Sequence, residues 1–300
     1  MKKVCLFILL PVFIAACSPK PEPEIAILPA PGLAETQEAP TEPPASAACV
    51  ADMIPQEIVF TASDGQELLG YFYSACAKEA PVVVLMHWIG GDKSDWYEIA
   101  AWLQNRGLDN PFENPGSNAW WDESWFPAID PEVSYNVIIF SFRGCEPYQT
   151  GCRERDLAGW LLDANAAMLK ASELAGVDPG RVAVIGSSIG ADGAADGCLW
   201  LNEQKSGACK GALSLSPGSY LGVSYPDVVQ ELGQLANAPQ IWCLADENEI
   251  AICDYAAGSN PNFKSIQIAG GGHGNELLRP GLTPSPMESI LDFLETALAE

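Results

Sequence analysis

The sequence is poor in histidine and in positive charge. Only two histidines, His87 and His273, occur in 300 residues, which leaves little material for a zinc or copper centre, because such sites draw on imidazole. No two of the ten cysteines are spaced Cys-x-x-Cys, so a zinc ribbon or a thioredoxin-like redox pair has no basis either. Lysine and arginine number 15 against 39 acidic residues, a net charge of −24. Phosphate-rich partners would be repelled at every approach, which argues against nucleic acid and against anionic membrane surfaces. The apolar run at the start, Val4 to Phe13 behind Lys2 and Lys3, is too short to span a bilayer. What is present is a globular composition, 48% hydrophobic and 18% charged, enough for one sizeable domain.

The opening run has the flanks of a secretory signal peptide. It ends in Ile14-Ala15-Ala16-Cys17, which resembles the lipobox of bacterial lipoproteins. That resemblance implies removal of residues 1–16, a lipid on Cys17 and an exported protein held at the outer face of a bacterial membrane by its lipid alone. A plain signal peptide with an incidental cysteine is the alternative. Residues 17–48 repeat Pro, Ala and Glu without an aromatic residue, so they cannot bury a core and are expected to form a mobile tether. At roughly 3 Å per residue such a tether reaches about 90 Å.

Eight cysteines remain beyond the leader: Cys49, Cys76, Cys145, Cys152, Cys198, Cys209, Cys243 and Cys253. An even number in an oxidising compartment predicts disulfides. Their spacing suggests pairing in chain order, Cys49 with Cys76, Cys145 with Cys152, Cys198 with Cys209, and Cys243 with Cys253.

From residue 49 to 300 the pattern is that of one α/β domain. Two β-prone runs, Glu57 to Ala62 and Gln66 to Ser74, are joined by Ser63-Asp64-Gly65, a strong hairpin signal. Buried-type strands are predicted over Pro81 to Met86, Val137 to Phe142, Val182 to Ile185, Ala212 to Leu215, Gln240 to Leu244 and Phe263 to Ile268. Helices are predicted over Lys93 to Arg106, Glu154 to Gly176, Ala191 to Leu201, Asp227 to Leu235 and from Ser285 onward. Ser285, Pro286 and Glu288 fit N-cap, first position and capping-box glutamate. Strands alternating with helices after an opening hairpin argue for a mostly parallel sheet of about eight strands. Residues 107–132, rich in Pro, Trp and Phe, break the rhythm and read as an insertion, either a pocket wall or lid or a static aromatic patch.

Gly186-Ser187-Ser188-Ile189-Gly190 follows one of these strands and opens a helix. A serine at the apex of such a turn projects above the sheet, and the flanking glycines let two backbones approach. A serine hydroxyl needs a base to take its proton. His273, in Gly270-Gly271-Gly272-His273-Gly274 after the last strand, can swing toward Ser188. A carboxylate beyond the Gln240 to Leu244 strand must then orient the imidazole; Ala245 to Ile250 offers three, Asp246, Glu247 and Glu249, and Asp254 lies further off.

His87-Trp88-Ile89-Gly90-Gly91 after the third strand resembles the histidine-glycine oxyanion loop of α/β-hydrolases. Phe142-Arg143-Gly144 resembles a segment where they often carry Arg-Gly. The order Ser188, acid, His273 is also theirs. From about Ile58 to Ala299 the chain is therefore similar to the α/β-hydrolase fold superfamily, and most like its compact dienelactone-hydrolase and cutinase-like branches. The resemblance implies backbone N–H donors at Ile89 and Ile189 for an oxyanion. A Glu-Asn preceding the acid, as in cutinase-like enzymes, selects Glu249, with Asp246 as the alternative. The implied activity is a serine hydrolase acting on small-molecule carboxylic esters, with no cofactor and no metal. A serine peptidase of the same fold and a catalytically silent binding protein are the rival readings.

Overall fold

The computed structural model describes residues 54–112, 122–145, 151–258 and 260–299. The leader, Cys17, the tether, Cys49, Trp120 and Trp121 lie outside the described residues.

An antiparallel hairpin, β1 (Gln56–Thr61) and β2 (Glu67–Tyr73), opens the domain. Six further strands follow: β3 (Ala80–Met86), β4 (Asn136–Phe140), β5 (Val177–Ser187), β6 (Cys209–Leu215), β7 (Gln240–Asp246) and β8 (Phe263–Ile268). They form one sheet in the order β1-β2-β4-β3-β5-β6-β7-β8, parallel from β4 onward. The continuous apolar runs are explained by burial on both faces. Val82, Val84 and Met86 enter one core, whereas Val83 and Leu85 enter the other.

Helices α2 (Leu157–Ala171), α3 (Ile189–Gln204), α4 (Tyr225–Gln234) and α5 (Ala251–Ala256) cover the first face. Helices α1 (Tyr97–Leu103) and α6 (Pro286–Leu298) cover the second. The expected helix over 93–106 is instead a 3₁₀ turn (Lys93–Trp96) followed by α1. Asp92 accepts the Ser94 N–H at 2.8 Å and starts that turn. At α6 the Ser285 hydroxyl accepts the Glu288 N–H as the sequence suggests.

Three of the expected disulfides are present, Cys145–Cys152, Cys198–Cys209 and Cys243–Cys253. Cys76 is disulfide-bonded as well. The described part of the aromatic insertion is packed rather than free-standing. Phe112 stacks on Tyr71 and Tyr97, Trp102 meets the edge of Phe126 and donates to the Pro127 carbonyl, and Trp125 donates to the Leu278 carbonyl. Among the described residues no helix is long and apolar enough to cross a membrane.

Candidate active site

Ser188 stands between β5 and α3 with φ +53° and ψ −113°, a strained backbone for a residue with a side chain. The turn is possible because of its glycines. A Cβ on Gly186 would lie 1.8 Å from the Gly190 carbonyl oxygen, and one on Gly190 would lie 2.3 Å from that of Met86. The Ser188 N–H is fixed to the Leu215 carbonyl at 2.8 Å, and its carbonyl accepts from Ala191 and Asp192. Ser188 is thus 3% exposed and points where the strand ends.

His273 reaches it from beyond β8. Its Nε2 lies 2.9 Å from Ser188 Oγ, and its Nδ1 lies 2.8 Å from Glu249 Oε1. A carboxylate only accepts, so Nδ1 carries the proton and Nε2 is left to receive one from Ser188. The loop holding His273 leaves none of its backbone donors loose. Gly270 donates to Glu247, Gly271 to the Ile268 carbonyl, Gly272 to Asp246, His273 to Glu276 and Gly274 to Ser216 Oγ.

The other carboxylates at and beyond the end of β7 have other tasks. Asp246 is buried, not solvated. It accepts from the Asn248 N–H and side chain and from Gly272, and these bonds, led by that of Asn248, hold its carboxyl below the usual carboxylate range. Its carbonyl accepts the N–H of Glu249 at 2.9 Å. Asp254 accepts from Ser265 Oγ at 3.0 Å.

No hydrogen bond joins His87 to Ser188. Its ring is fully buried, with Nδ1 donating to the Trp88 carbonyl at 2.7 Å and Nε2 accepting the Phe142 N–H at 3.0 Å. Accepting the Phe142 N–H requires the neutral ring, and burial pushes its pKa down to about 4. It therefore ties the loop after β3 to the end of β4. On the other side of that loop, Cys152 donates its N–H to the Ile89 carbonyl at 2.9 Å. Ile189 opens α3, where the first N–H has no intrahelical acceptor.

No protein-family model matches the sequence, and no curated protein matches it. Solved structures are similar. An esterase from Pyrococcus furiosus aligns with a TM-score of 0.56 over 82% of this chain and 94% of its own, at 13% identity. A thermostable carboxylesterase cloned from a metagenomic library aligns with a TM-score of 0.52 over 85% and 90%, at 17% identity. For dienelactone hydrolase from Anabaena variabilis the TM-score is 0.54 over 81% and 99%, at 12% identity. The chain has the α/β-hydrolase fold.

Within this α/β-hydrolase fold, several residues around the site escaped the sequence reading. Asp192, in the first turn of α3, is 2% exposed and gathers the N–H groups of Gly218, Ser219 and Tyr220. Burial raises its pKa to about 6 against the pull of those bonds. The loop it holds sets the Tyr220 ring edge-on to His273 at 6.0 Å, while Trp88 lies 6.4 Å from the same imidazole. Ser216, with φ +54°, bonds the Leu244 carbonyl through its N–H and the His273 loop through its hydroxyl. Asp192 is one of two acids, with Asp196, in the small-residue run after Ser188, and that was its available signal. Ser216 offers none, because its partners are distant in sequence. Among the described residues no group of three or more His, Cys, Asp or Glu side chains is arranged to hold a metal ion.

Proposed function

We propose that this protein is a serine hydrolase of small-molecule carboxylic esters. The observation that carries the reading is the continuous chain Ser188 Oγ, His273 Nε2 and Nδ1, Glu249 Oε1 at 2.9 and 2.8 Å, set on a strained elbow. His273 takes the Ser188 proton as Oγ attacks the acyl carbon, and Glu249 stabilises the imidazolium that results. The N–H groups of Ile89 and Ile189 serve the oxyanion. His273 then returns the proton to the departing alcohol and activates the water that releases the acid. Esterases and a dienelactone hydrolase among the structures of the same fold support ester chemistry.

The protein is proposed to work outside the cytoplasm, with Cys17 as its lipid anchor and residues 17–48 as its tether. Three disulfides within the described residues support an oxidising destination. Labelling with an active-site phosphonate tests the chemistry. The adduct is expected on Ser188, together with turnover of short acyl esters that Ser188→Ala abolishes. An adduct on another residue, or ester turnover that survives Ser188→Ala, overturns it.

A further inference from the structure

A cavity of about 350 Å³ opens between the start of β2 and the end of β4, lined by Gln66, Leu69, Lys93, Ser141, Phe142 and Arg143, among others. Ser188, His273 and Glu249 do not line it. Its two basic side chains are in opposite situations. Arg143 is saturated, paired with Asp163 at 2.7 Å, Asp64 at 2.5 Å and Asp156 at 3.4 Å. Lys93 is 2% exposed, and its ammonium stands 5.5 Å from the centre of the Tyr71 ring. No described carboxylate comes within ion-pair distance of it. Asp92 and Glu57 act on it only through space, and Glu67 lines the cavity.

A buried ammonium without a counter-ion is costly, and the tyrosine face offsets that cost only in part. Burial accordingly pushes the Lys93 pKa down. Methionine would fill the same space with no charge to satisfy. A cation kept in a cavity, with an unsatisfied donor set, is what an anion needs.

We propose that this cavity binds a short aliphatic carboxylate, its carboxyl group on the Lys93 ammonium and the Ser141 hydroxyl. Ser141 Oγ already accepts the Lys93 N–H at 3.3 Å, so its own proton is free to be donated to the ligand. Leu69, 40% exposed, supplies an apolar wall for the chain. The volume is at the lower end for ligand pockets, which favours an acid of a few carbons over a lipid. Glu67 and the net charge of −24 select against anions of higher charge. The inference does not depend on the hydrolytic reading, since none of its residues belongs to the Ser188 chain.

Thermal unfolding of the full chain titrated with hexanoate tests it, with hexanol and inorganic phosphate as comparisons. Hexanoate is expected to raise Tm saturably, by about 3–6 °C at ten times Kd, in the native protein and in Ser188→Ala alike. Lys93→Met should abolish the shift and Lys93→Arg retain part of it. Should Lys93→Met fail to fold, the native protein gives the second readout. Hexanoate is expected to slow acetylation of Lys93 by an amine-reactive ester, mapped by mass spectrometry, without slowing that of Lys264. The proposal is overturned if hexanoate produces no saturable shift, if hexanol or phosphate matches it, if Lys93→Met keeps it, or if Lys93 acetylation is unchanged.

Discussion

Gly272 donates its backbone N–H to the carboxylate of Asp246 at 3.2 Å, and this bond fastens the loop carrying His273 to the turn carrying Glu249. Two neighbouring acids therefore divide the work, one touching the imidazole and the other holding the frame. Glu249→Gln is expected to lower kcat by about 10⁴ with little change in Tm, since the imidazole loses the charge that stabilises its protonated form. Asp246→Asn keeps one acceptor oxygen and should cost far less activity, but it should lower Tm. Steady-state kinetics beside thermal unfolding separate the two; a dead Asp246→Asn with near-normal Glu249→Gln reverses the assignment.

How far the sequence was readable follows from which forces are local. The central strands were visible because burial on both faces writes itself as unbroken apolar runs. The Gly-x-Ser-x-Gly turn was visible because Gly186 and Gly190 have no room for a Cβ. Strand β5 begins at Val177, five residues before its apolar run, and this start was hidden because Asp178-Pro179-Gly180 looks like a turn. In the structure it sits at a register shift, with Asp178 holding Gly180 and Arg181. Helix α5 went unread, its short segment being held by Cys253 in the core and its bond to Cys243. The partners of the His273 loop were unreadable for the same reason, since Ser216, Asp246 and Glu247 meet it only in three dimensions.

Asp192→Asn should loosen the 218–220 loop, because the amide cannot accept all three N–H groups and brings donors of its own. Loss of buried bonds of this kind costs about 1–3 kcal/mol. Tyr220 would no longer be held against His273, so a fall in kcat/KM larger than that of Tyr220→Phe is expected. Equal values for the two variants would show that the loop keeps its form without the carboxylate.

Acid should destabilise the protein through His87. The unfolded chain takes up this proton near pH 6.5, whereas the native ring resists it until about 4. Stability from this group is thus complete above about 6.5 and is lost as pH falls toward 4, by about 3 kcal/mol. Thermal unfolding between pH 7 and 4 should show a steeper decline in the native protein than in His87→Gln, even if the variant starts from a lower Tm.

Asp196 works in the opposite direction. It is 8% exposed, and burial, with Asp192 and Glu231 nearby, raises its pKa to about 7. The native state holds a proton that the unfolded chain releases near 3.8, so its stabilisation is full below that pH and is lost as pH rises through about 7. Asp196→Asn should therefore raise Tm at pH 8, by the equivalent of up to about 4 kcal/mol, and the gain should vanish near pH 4. A gain independent of pH would mean that charge is not its cause.

The three disulfides among the described residues have their sulfurs in or against one core, the one beneath α2, α3, α4 and α5. These three bonds stitch one ply of the domain, and none of them enters the other. Ser188 leads into α3 and Glu249 into α5, both on the stitched ply, whereas the segment after His273 sends Leu277 and Leu278 into the other. A thiol reductant would therefore slacken the layer that carries two members of the hydrogen-bonded chain and leave the third where it was. Alignment across the layers would fail while both were still folded, so the proposed activity would be lost before the domain came apart.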